Sequence, residues 1–151
     1  MTSETESAST ALRQALLRDF KTFYNQTRPD LDQLADLYTE DVEFRDPVHT
    51  LHGRLALRRY LSGVYANCRS VAFHYTDEDV TGNGASIAWN MTLSHPRLDG
   101  GREIQVRGIT MIRFSDRIYY QEDFYDLGNM LYQHVPVLGR IIRHIKGRLA
   151  G

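Results

Sequence analysis

The stretch VEFRDPVHTLHG, residues 42–53, puts a carboxylate, Asp46, close to two imidazoles, His49 and His52. It opens like a β-strand, and alternation places Asp46 on the face that Val42 and Phe44 turn toward a core. A carboxylate at the rim of an apolar pocket can take a proton from carbon next to a carbonyl, provided a donor steadies the enolate. His49 beside it can serve as a proton relay. The same residue types build two-histidine, one-carboxylate iron sites, but this spacing is not diagnostic of one and no metal is expected. A structural reading competes, because an Asp before a Pro at a strand end commonly fixes a turn by accepting backbone N–H groups.

The elements that must hold these residues can be read from hydrophobic period. Residues 10–26 carry Leu12, Leu16, Phe20 and Phe23 at helical spacing, which predicts a first helix. Pro29 breaks it, Asp30 can cap the next segment, and Leu31, Leu34 and Leu37 give a short second helix. After the VEFRD strand and its loop, Leu57, Tyr60, Leu61 and Val64 predict a third helix ending near Asn67. From Val71 the period changes to two. Four strands come next, separated by Gly82-Asn83-Gly84, Asp99-Gly100-Gly101 and Ser115-Asp116, and they read as an antiparallel meander. Its inner face carries Phe73 and Tyr75, then Ile87, Trp89 and Met91, then Val106, Thr110 and Ile112. Helices before a curved antiparallel sheet make an α+β domain with helices on one face. From Val137 the pattern is that of a basic amphipathic helix, with Leu138, Ile141, Ile142, Ile145 and Leu149 on one side. The expected organisation is a disordered leader over 1–9, the domain over 10–135 and the basic helix over 136–151.

A chain of 151 residues suits one domain with a single core. Its formal charge of -1 offers nothing to nucleic acid or an anionic membrane. The single cysteine, Cys68, excludes an internal disulfide, and neither a signal peptide nor an apolar span is visible, so a cytoplasmic protein is expected. The basic helix can touch a membrane surface but inserts no span. No glycine-rich phosphate loop precedes a helix, so no organic cofactor is implied.

The element order, with LYTEDVEFRDPVHTLHG and YYQEDFYDLGNMLY, resembles the SnoaL-like branch of the nuclear transport factor 2-like superfamily over roughly residues 10–135. The resemblance implies a cone: helices close one side of a bent sheet around a pocket, commonly in a homodimer. Relatives include ketosteroid isomerase, limonene epoxide hydrolase and polyketide cyclases, alongside members with no known activity. The Asp-Pro pair resembles the place where ketosteroid isomerase keeps its general base, which implies Asp46 as base. The oxyanion donors of that enzyme are not matched, since Phe20 or Thr22 and Thr110 stand in their places. EDFYD resembles the ending of the epoxide hydrolase branch, which implies Asp123 as a second catalytic carboxylate, with Gln121 and Tyr125, and Tyr119 if alternation holds, turned inward beside it. The Arg and Asp that epoxide hydrolysis also needs are missing from IAWNMTL.

The reading at this level is a pocket protein binding a small, mostly apolar molecule, with acid-base isomerase, cyclase, dehydratase or hydrolase chemistry by Asp46, Asp123 and His49. Phe20, Phe44, Trp89 and Met91 would shape the pocket, Tyr75 would be a further donor, and Thr110, Gln121 and Tyr125 would line it. A non-catalytic binding or interaction module stays open as the alternative.

Overall fold

The computed structural model describes residues 2–128 and 144–150. Helix α1 spans Thr2–Tyr24; a 3-10 turn, Leu31–Gln33, leads into α2, Leu34–Leu37, and α3 spans Arg54–Asn67. The strands are β1 Tyr38–Arg45, β2 Thr50–His52, β3 Ser70–Val80, β4 Gly84–Ser94, β5 Glu103–Phe114 and β6 Ile118–Tyr125.

α1 starts at Thr2 rather than at residue 10, so the expected leader is helical. Residues 2–9 contain no glycine or proline to stop a helix, yet they are exposed, and Leu12 with them; burial begins at Leu16. Pro29 and Asp30 act as expected, the Asp30 carboxylate accepting the Asp32 N–H at 3.0 Å. Gly53, at φ 93°, turns the chain from β2 into α3 while its N–H donates to the Val42 carbonyl. β2 falls where only a loop was expected, and it pairs antiparallel with β1.

The sheet is open and curved, in the order β2-β1-β6-β5-β4-β3. β3 to β6 form the expected meander, whereas β1 and β6 run parallel, so the sheet is not wholly antiparallel. The reason is topological: the meander brings β6 back to the edge that β1 left through α3.

Leu16, Leu17, Phe20, Phe23 and Tyr24 of α1, with Leu57, Leu61 and Tyr65 of α3, pack on Ile87, Trp89, Val106, Ile112 and Phe114 of the sheet. Fully burying one such side chain stabilises the fold by about 1.5–3 kcal/mol. One extra residue on β6, between the pairs Phe114–Ile118 and Arg113–Tyr120, switches the parity of the strand. Ile118 and Gln121 are therefore both buried, and Tyr119, expected inside with Asp123, is 40% exposed. The C-terminal helix is described only over residues 144–150, which are helical and exposed, while the expected apolar positions Leu138, Ile141 and Ile142 lie outside the described residues.

Candidate active site

Between α3 and the inner face of the sheet lies a cavity of about 430 Å³. Its walls are apolar, with Phe44, Leu61, Phe73, Trp89, Met91 and Leu93 among them, and Asp46 and Asp123 are its two acids. A volume of this order is ordinary for a small-molecule site.

Asp46 sits just past the end of β1, where the chain reverses. Its N–H donates to the His49 carbonyl, and its Oδ1 accepts the N–H groups of Val48 at 2.8 Å and His49 at 2.7 Å. The hydroxyl of Tyr60, on α3, donates to Oδ2 at 2.6 Å, and His49 Nδ1 lies 3.1 Å from Oδ1. The side chain is only 2% exposed. Burial pushes its pKa up, but the Tyr60 hydroxyl, the two backbone N–H groups and His49 outweigh that and hold it below the usual carboxylate value. The turn-fixing and pocket readings of Asp46 thus coexist: the same carboxylate closes the turn and faces the cavity.

His49 stands beside Asp46, with its ring 4.7 Å from that of Tyr60, but it is exposed and does not line the cavity. His52 points elsewhere, 3.8 Å from Glu43. Among the described residues no three His, Cys, Asp or Glu side chains are grouped to hold a metal.

Asp123 is bound differently. Its Oδ1 accepts from the Thr110 hydroxyl at 2.7 Å and from Gln121 Nε2 at 3.1 Å. Behind these, Trp89 Nε1 donates to Thr110 Oγ1 at 2.9 Å, and the Tyr38 hydroxyl donates to Gln121 Oε1. Tyr38 has spent its proton there, so Tyr24 must donate in turn to Tyr38. Every donor in this buried network is directed toward Asp123. Its other oxygen, Oδ2, takes no hydrogen bond from any described residue, and the side chain lines the cavity. Desolvation raises its pKa to about 6, against the two hydrogen bonds, with the Asp46 charge adding to the rise.

Phe44, Trp89, Met91 and Tyr125 line the cavity as expected. Phe20, Tyr75, Thr110 and Gln121 do not; they stand behind the wall around a recess of only about 20 Å³. The hydroxyl of Tyr75, the expected further donor, donates to the Lys21 carbonyl at 3.2 Å. Tyr60 and Tyr65 were missed as site residues. They lie on the apolar stripe of α3, and a tyrosine on a buried stripe must place its hydroxyl somewhere polar, which was the available signal. Tyr60 meets Asp46; the hydroxyls of Tyr65 and Tyr125 have no hydrogen-bond partner among the described residues and belong to residues lining the cavity. Burial pushes both of these phenols well up, and the Asp123 charge adds to it, so they remain O–H donors.

One backbone position makes the wall possible. Gly108 on β5 lies directly opposite Trp89, and a Cβ there would come within 2.3 Å of the indole. Only glycine lets the ring lie flat enough across β5 to reach Thr110.

The helix-backed curved sheet and its acid-bearing pocket define a cone-shaped protein of the nuclear transport factor 2-like fold. A SnoaL-like domain model matches residues 17–120, and the chain belongs to that family. Among similar solved structures is a hypothetical protein with a ketosteroid isomerase-like fold from Catenulispora acidiphila DSM 44928, in complex with trimethylamine. It has a TM-score of 0.68 at 18% identity, over 79% of this chain and 91% of that one. A putative SnoaL-like polyketide cyclase from Jannaschia sp. CCS1 gives 0.67 at 14% identity, over 80% and 92%. TsrD from Streptomyces laurentii gives 0.65 at 18%, over 79% and 91%. At these identities the likeness shows the fold alone. No curated protein matches the chain.

Proposed function

We propose that this SnoaL-like protein binds a small, mostly apolar carbonyl compound in its cone and isomerises or cyclises it by proton transfer, with Asp123 as the base. The observation that carries this reading is the asymmetry of the two acids. Asp46 is held by four donor groups and has a lowered proton affinity. Asp123 has one oxygen fixed by Thr110 and Gln121, the other unbonded, and a pKa near neutrality at about 6. A base poised there is mostly ionised at neutral pH and still returns its proton readily.

In the proposed step Asp123 Oδ2 takes a proton from the carbon next to the carbonyl, and the C–H electron pair becomes the enolate. Tyr65 and Tyr125 supply hydroxyls available to the enolate oxygen, the donor role that the sequence reading gave to Tyr75. Protonated Asp123 then returns the proton at another carbon, or the enolate carbon closes a ring onto a second carbonyl, whose π pair moves to its oxygen and takes the proton back from Asp123. Neither route changes oxidation state or requires a cofactor. Asp46 becomes a positioning residue that orients Tyr60 and, with its charge, keeps the proton affinity of Asp123 high. Three of the similar structures being putative polyketide cyclases accords with this class of chemistry. The proposal retains a cytoplasmic homodimer as its setting; no described helix is long and apolar enough to cross a membrane.

The test uses 2-tetralone as a general carbon acid in heavy water, with exchange of its α-protons monitored by NMR. Acceleration by the protein that disappears in Asp123→Asn supports the assignment. Binding of the ketone without acceleration would leave the cone as a non-catalytic receptacle, the reading that the structural role of Asp46 favours.

A further inference from the structure

The polar groups of the cavity are sorted by charge. Of the acids, Asp46 lies just past the end of β1 and Asp123 on β6, whereas His95 and Arg97, its two basic lining residues, come just after the end of β4. Asp123 pairs with Thr110 and Thr110 with Ile87, so the floor lies level with Ile87 on β4. His95 comes eight positions later, up to about 26 Å along a strand at ~3.3 Å per residue, less where the sheet bends. Gly63, Val64 and Arg97 are the exposed lining residues, which puts the mouth between α3 and the turn after β4. Val71, Phe73, Met91 and Leu93 lie between the two ends.

Two details prepare the mouth for an anion. The Arg97 N–H donates to His95 Nδ1 at 3.1 Å, so a neutral His95 must carry its proton on Nε2, leaving that nitrogen as a donor. The Arg97 guanidinium has no ion-pair or hydrogen-bond partner among the described residues. A planar two-oxygen anion fits a guanidinium fork better than it fits a point charge.

Building on the proposed function, we infer that the substrate is an elongated amphiphilic carboxylic acid, whose carboxylate is held at the mouth by Arg97 and His95 while its apolar body reaches toward Asp123. The acidic floor repels the carboxylate and the basic mouth attracts it, so one orientation is selected, carbonyl end inward. Arg97 and His95 are then specificity residues remote from the chemistry.

The experiment compares biphenyl-4-acetic acid with its neutral amide, titrated into the full chain at neutral pH. Trp89, the only tryptophan and part of the cavity wall, reports occupancy by its emission. The acid is expected to bind about tenfold more tightly than the amide. Arg97→Met, and separately His95→Gln, should remove most of that preference; Arg97 is exposed, so its substitution spares the fold. Equal binding of acid and amide, or a preference that survives Arg97→Met, overturns this inference and leaves the pocket reading standing. If neither compound perturbs Trp89 emission, the pocket reading falls together with it.

Discussion

Replacing Asp123 by Asn should make the protein more stable at alkaline pH while destroying its proposed chemistry. The carboxyl is lifted from an ordinary 3.8 to about 6, mainly by desolvation. Each pH unit of raised proton affinity corresponds to about 1.4 kcal/mol, so the ionised group withdraws about 3 kcal/mol from the fold. The sign is set by the direction: a folded pKa above the unfolded value means stability is fully present below 3.8 and is lost as pH rises through about 6. Asparagine keeps the shape and an oxygen that accepts from Thr110 and Gln121, and it turns an uncharged NH2 toward the cavity. Urea unfolding of both proteins should therefore show Asp123→Asn ahead by about 1 kcal/mol near pH 4.5 and by about 3 kcal/mol near pH 8. Taking the difference between the two proteins cancels the titration of every other group. A difference that does not change with pH, or a variant less stable near pH 8, would refute the claim that Asp123 is buried against its charge.

Other substitutions probe the supports. Tyr60→Phe removes a charge-assisted hydrogen bond from Asp46 and should cost about 1.5–3 kcal/mol, with the Asp46 carboxyl titrating higher by carbon NMR. Because Asp46 has a lowered pKa, its contribution to stability is present above 3.8 and disappears as pH falls through its folded value; in Tyr60→Phe the folded value moves toward 3.8, so that acid loss should be smaller and complete at higher pH. Thr110→Val deprives Asp123 of a donor and Trp89 of its acceptor. The acid limb of the exchange-rate profile should move above about pH 6, and the protein should lose about 1–3 kcal/mol. Gly108→Ala should displace the Trp89 ring, costing about 1–3 kcal/mol and altering the near-ultraviolet dichroism; an unchanged spectrum would mean the strand yields instead.

Local pattern in the sequence determined much of this molecule. The period-two runs placed Phe73, Trp89, Met91 and Thr110 on one face because side chains alternate across a strand whatever it pairs with. The stripe on α3, the turn at Pro29-Asp30 and the motifs that point to the SnoaL-like family were equally legible, since each depends on neighbours a few residues apart. What sequence could not decide was anything resting on distant partners. The bulge that sends Tyr119 outward exists only in the pairing of β6 with β5. The division of labour between Asp46 and Asp123 came from Tyr60, Thr110 and Gln121, which belong to α3, β5 and β6. Two aspartates have the same intrinsic acidity, and they diverge here because folding surrounds one with donors and leaves an oxygen of the other unbonded in an apolar cavity.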